Sequence, residues 1–212
     1  MEPSRLHRGF TLIELMVVLA IIVVITSVVF TSQNSFNKTL VLSNTAYDIA
    51  LTLRSTQTYG LSSRASGAAS NVGYGIHLAS GTRNSFIFFA DTKPDASCST
   101  PDCKPGDRIY ASTGVNTDTL VQTYRLNNGI TVGDFCAYPP SGSGSCASGS
   151  LTALDIVFTR PNPNALISGS NGASYMTYSS ACITISSQQG DTKRYISIAA
   201  SGQIVANASP CP

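Results

Sequence analysis

Apolar residues run almost without interruption from Phe10 to Phe30, broken by the acid Glu14 and by the hydroxyls of Thr11, Thr26 and Ser27. At about 1.5 Å of rise per residue a helix of this length crosses a hydrocarbon core of about 30 Å, so residues 10–30 are predicted to span a membrane. No Pro or Gly follows until Gly60. Phe36, Leu40, Tyr47, Leu51 and Thr58, widened by Ala50, Leu53 and Leu61, recur near multiples of 3.6. The helix is therefore expected to continue as an amphipathic half over 31–66, with this stripe covering a sheet. Gly60, or the region of Ser62, Ser63, Ser66 and Gly67, should end it.

Beyond the helix the period changes to two. Strands are predicted at 73–78, 85–90, 120–126, 130–135, 154–159, 182–186, 194–199 and 203–206, with Gly and Asn marking the turns. Ile183 and Ile185 alternate with Thr184 and Ser186, and Ile196 and Ile198 flank Ser197, so each strand has one buried face. The turn Gln188-Gln189-Gly190-Asp191 joins the two as a hairpin. Antiparallel strands packed on one helix give an α+β head over 67–212.

Glu14 is the anomaly in the apolar run. On insertion scales an acid at the centre of a membrane helix costs roughly 2.5–3.5 kcal/mol, so an acid inside a span is a functional hypothesis with a partner to name. Arg5, His7 and Arg8 precede the run, a positive-inside signal that places the body outside the cytoplasm. An ordinary signal anchor explains the spanning length, but neither Glu14 nor the Gly9-Phe10 junction. A secretory leader would put its small-residue cleavage site after the apolar stretch. If a peptidase cuts after Gly9, Phe10 becomes an α-amine and Glu14 lies one helical turn on, able to pair with a neighbouring subunit's amine.

Arg8-Gly9-Phe10-Thr11-Leu12-Ile13-Glu14-Leu15 resembles the class III leader of type IV prepilins and type II secretion pseudopilins. The resemblance implies cleavage between Gly9 and Phe10 by a prepilin peptidase, N-methylation of Phe10, and a subunit-docking role for Glu14. It also implies a pilin fold, whose long helix bundles in a filament core through its first half and packs on a globular head through its second. Residues 1–9 are then the leader and 10–30 the core helix. The segments Leu51-Thr52-Leu53-Arg54-Ser55, Ile156-Val157-Phe158-Thr159-Arg160-Pro161, Tyr195-Ile196-Ser197-Ile198 and Gly202-Gln203-Ile204 are similar to the FimT and FimU minor pilins and the H-type pseudopilins. Many major pilins carry a helix-breaking proline where this chain has Thr31.

Composition suits an exported subunit. Of 212 residues 11% are charged, there is no Trp, and the net charge is +2. Loss of residues 1–9 removes Arg5 and Arg8 from thirteen basic side chains and Glu2 from eleven acidic ones, leaving +1. The basic residues are scattered, with only Lys193 and Arg194 adjacent among those of the body, so a nucleic-acid interface is disfavoured. Cys98, Cys103, Cys136, Cys146, Cys182 and Cys211 in an exported chain argue for disulfides. Sequence leaves the pairings open. Loop entropy and grouping favour neighbours in order: Cys98 with Cys103, Cys136 with Cys146, and Cys182 with Cys211. The last would tie the C-terminal tail to a strand, as the C-terminal disulfide loop does in many pilins.

No metal or cofactor is expected. No cysteine spacing has a zinc pattern, and His77 reads as a lone surface histidine on a strand. Asp91, Asp95, Asp102 and Asp107 crowd one loop and would suit calcium, but without the EF-hand spacing and with Lys93, Lys104 and Arg108 among them. A solvated loop is the plainer reading. No enzyme is expected either, since two histidines, one of them in the leader, and a low-complexity Ser141–Ser145 run offer no nucleophile with a base. The chain is thus read as a minor type IV pilin, acting in initiation of assembly or at the filament tip. The alternatives are an H-type minor pseudopilin of a type II secretion system, or a tip subunit that binds DNA or adheres. Expected partners are the prepilin peptidase, other pilins or pseudopilins, an inner-membrane assembly platform, and membrane lipid before assembly. The expected location is the inner membrane, then a surface pilus or periplasmic pseudopilus.

Overall fold

The structure is a computed structural model that describes residues 9–62, 66, 67, 71–94, 106–114, 117–207 and 209–211, with the side chains of 31–35 excepted. The chain divides into two compact units, Met1–Leu40 and Val41–Pro212. Helix α1, Leu12–Leu61, contributes to both. It stays helical through Thr31, the position at which many pilins place proline.

In the first unit, Leu12–Phe30 has a mean hydropathy of 3.0 and none of it is buried. Its hydroxyls do not break the helix, because a side chain can return its proton to the preceding turn. Thr26 Oγ1 donates to the carbonyl of Ile22 at 2.8 Å.

In the second unit, eleven strands among the described residues form two antiparallel sheets. The strands are β1 (Gly73–Ala79), β2 (Ser85–Asp91), β3 (Thr119–Arg125), β4 (Thr131–Tyr138), β5 (Ser145–Cys146), β6 (Ala153–Phe158), β7 (Ala165–Ser170), β8 (Tyr175–Tyr178), β9 (Ser180–Ser186), β10 (Lys193–Ala199) and β11 (Ile204–Ala206). One sheet runs β3-β2-β1-β6-β7-β8 and the other β11-β10-β9-β4-β5. The architecture is α+β: a long helix packed on antiparallel sheets, with two disulfides in the head. β5, β7 and β8 were not foreseen. β5 has only two residues, while β7 carries Ser and Gly among its apolar positions, which blurs the alternation.

One large core cluster joins helix and sheets. Leu42, Ala46, Ile49, Ala50 and Leu53 of α1 pack with Ile76, Leu154 and Ile156 of the first sheet and Ile183, Ile185, Ile196 and Ile198 of the second. The alternating isoleucines of β9 and β10 lie in register, Ile196 opposite Ile183 and Ile198 opposite Ala181. Arg54 donates to the carbonyl of Ile204, and Gln57 to those of Pro163 and Gly202. At the helix end Gly60 is required by contact, since a Cβ there would stand 2.1 Å from the carbonyl oxygen of Phe158.

The helix face differs from the expected one. Tyr47 is 58% and Leu51 65% exposed, and Thr58 is exposed, whereas Leu42, Ala46, Ile49, Ala50, Leu53 and Thr56 are buried. Ala50 and Leu53 alone of the expected stripe are in the core. The buried face alternates large and small residues: Leu42, Ile49 and Leu53 fill the core, and at Gly60 the helix comes too near the Phe158 backbone for any side chain. Thr56 is accommodated because its hydroxyl donates to the carbonyl of Thr52 at 2.8 Å.

Candidate functional site

The helix begins where the junction ends. Gly9 and Phe10 lie outside α1 and are exposed, Phe10 by 78%. Thr11 caps the helix, its Oγ1 accepting the N–H of Glu14 at 3.3 Å while its carbonyl accepts the N–H of Leu15 at 3.2 Å. Thr11-Leu12-Ile13-Glu14 thus has the spacing of a capping box, with an acid in the positively polarised first turn. The sequence signal for this cap is the spacing of Thr11 and Glu14. The Glu14 side chain is exposed.

The cysteines hold the head's second sheet. Cys136 on β4 bonds Cys146 on β5, and Cys182 on β9 bonds Cys211, 29 residues further on. Cys136 stands opposite Cys146 on one side and Cys182 on the other, so the two bridges share one row across β5, β4 and β9. Cys98 and Cys103 lie outside the described residues, as do Asp95, Asp102 and Lys104.

The first sheet carries buried polar chemistry on the face turned away from the helix. His77 on β1 and Asp155 on β6 are register partners, with Nδ1 2.7 Å from Asp155 Oδ1. Tyr110, from the β2–β3 connection, lies over this pair and over Phe89, with ring centroids 4.8 Å from His77 and 5.0 Å from Phe89. His77 is therefore not the lone surface residue expected of it: 15% of its side chain is exposed and Asp155 is fully buried. Burial raises the Asp155 carboxyl above its ordinary range, and the His77 hydrogen bond opposes that rise.

Beside it, the ends of the same connection meet. Asp118 Oδ1 accepts the N–H groups of Thr92 and Lys93, each at 3.0 Å, and its Oδ2 that of Ala111 at 2.7 Å. Asp91 Oδ2 accepts the N–H of Arg108 at 3.0 Å, made available by a left-handed backbone at Arg108, φ 66°. Asp107 Oδ2 lies 3.0 Å from Lys93 Nζ. Burial first, then the charges of Asp118 and Asp107, push the Asp91 carboxyl up to about 8. Of the acids singled out in the sequence, Asp91 and Asp107 are brought together, and Asp118, not foreseen, completes the group.

Residues 4–30 match the family described as the prokaryotic N-terminal methylation motif. No curated protein and no solved structure matches the chain. The matched segment takes in the Gly9-Phe10 junction, Glu14 and the whole apolar run. This leader motif, of the type IV pilin kind, implies processing by a prepilin peptidase and assembly with other pilins, and it supports a pilin or a pseudopilin.

Proposed function

We propose that the chain is a minor type IV pilin, processed between Gly9 and Phe10, methylated on Phe10, and assembled through α1 into a filament where it acts in initiation or at the tip. The observation that carries the reading is the exposed run Leu12–Phe30 behind a methylation motif. A helix face that its own chain leaves bare needs a bilayer first and other helices afterwards. Glu14 sets the register by pairing with the Phe10 amine of a neighbour, which offsets the desolvation of both charges. Arg5, His7 and Arg8 hold the leader in the cytoplasm, so the head lies outside it. Two disulfides fit an oxidising compartment. In this reading the chain is a substrate of the peptidase and not itself an enzyme.

The test is quantitative mass spectrometry of filaments sheared from cells, following the peptide that begins at methylated Phe10. A small, reproducible ratio to the main subunit is expected. Parity with the main subunit would make the chain a major pilin. Its absence from filaments, with the processed form retained in membranes, would overturn the pilin reading for that of an H-type pseudopilin.

A further inference from the structure

The acids at the mouth of the β2–β3 connection are poorly served by the protein alone. Asp91 closes β2, Asp118 opens the approach to β3, and Asp107 lies on the connection between them. One carboxylate oxygen of each lies within 4.8 Å of those of the other two. Two oxygens on one calcium ion, each bound at about 2.4 Å, cannot be further apart than about 4.8 Å. The three are thus spaced to share an ion.

A cluster of acids is not by itself a site, because carboxylates gather on loops for many reasons. Here the distinguishing observation is Asp91. It is 1% exposed, and its Oδ1 is buried with no hydrogen-bond partner among the described residues. A buried carboxylate oxygen with nothing to accept from costs free energy unless it is protonated or meets a cation. Among the described residues, Lys93 is the cation paired with the cluster, and its partner is Asp107. One ammonium against three carboxyl groups leaves the cluster short of positive charge. Among the described residues, Asp155, Tyr110 and Tyr175 also interact with members of the cluster, and none of these three supplies a positive charge.

We propose that Asp91, Asp107 and Asp118 form a calcium site that clamps both ends of the β2–β3 connection to its middle. All three donors are hard carboxylate oxygens, the set that suits calcium rather than zinc or copper. Calcium takes roughly six to eight oxygens at relaxed geometry, so loop carbonyls and water complete the shell. Lys93 Nζ, on a side chain 32% exposed, is free to swing outward as the ion replaces it on Asp107. The site stands independently of the filament reading, since it uses no residue of the anchor or the leader.

The test uses the full processed chain in detergent, freed of metal, with calcium chloride as the probe. Calorimetric titration is expected to show one saturable calcium per chain, and millimolar calcium should raise the melting temperature by linkage. Magnesium chloride at the same concentration should raise it less. Asp91→Asn keeps the shape and the Arg108 hydrogen bond; it should melt no lower than the parent without metal and should lose the calcium response. If that variant does not fold, Asp107→Asn, at a partly exposed position, is read instead. Failure of the parent to bind calcium saturably would overturn the site. So would an undiminished calcium response in the Asn variant, which would mark binding elsewhere.

Discussion

Anchor and head solve the same two problems, apolar surface and isolated charge, in opposite ways. Between Leu12 and Phe30 large aliphatic residues surround the helix and none is buried, whereas from Leu42 to Gly60 the helix buries a face rich in small residues. The anchor's acid, Glu14, is exposed in the first turn. The head's acids are enclosed and met by groups of their own chain, Asp155 by His77, Asp118 by three backbone N–H groups and Asp107 by Lys93, although one oxygen of Asp91 and one of Asp155 are left over. A surface that is finished inside one chain serves folding. A surface left unfinished specifies another molecule.

The largest effect should come from removing the anchor's unfinished charge. Glu14→Val should leave cleavage after Gly9 intact while lowering the amount of chain in sheared filaments by at least about tenfold, which corresponds to roughly 1.4 kcal/mol. Normal incorporation of this variant would break the contrast. The head should answer differently to paired truncations on opposite faces of α1. Leu53→Ala, in the core, should cost about 2–5 kcal/mol in chemical denaturation, while Leu51→Ala, on the exposed face, should stay within about 0.5 kcal/mol. Equal costs would mean that the wrong face has been assigned to the core.

A smaller, graded effect should follow from pH. The Asp91 carboxyl holds its proton up to about 8, against an ordinary value of 3.8, and Asp118 and Asp155 are raised in the same sense. Above pH 4 the unfolded chain releases these protons before the folded chain does. In metal-free buffer the contribution of these groups to the head's stability should therefore be fully present below about pH 4 and fall as pH rises towards 8. Urea midpoints taken across this range check the slope, and Asp91→Asn should flatten it.

The anchor was legible in the sequence because its determinants are local: the leader, the junction, Glu14 and an apolar run. Eight of the head's strands were legible from alternation. The core face of α1 was not, because Phe36, Leu40, Tyr47 and Leu51 form a plausible stripe by size alone. Packing chose Ala46 and Ala50 instead, and the strand backbone at Phe158 is what demands Gly60. Asp155, between Leu154 and Ile156, marks an outward position on its strand. Nothing local says that Tyr110 will cover that position. Asp118 and Asp91 likewise meet only once β2 and β3 have paired.

The bridge from Cys182 to Cys211 has a mechanical side. In the proposed filament, tension would reach the head through α1 and the strands packed on it. β10 and β11 lie inside the covalent ring closed by that bridge, whose ends are 29 residues apart in sequence. Fully extended, such a segment would add roughly 100 Å of slack. While the bridge is intact that slack cannot be drawn out, so a loaded head can tilt or shear on its helix but cannot lengthen through its last two strands.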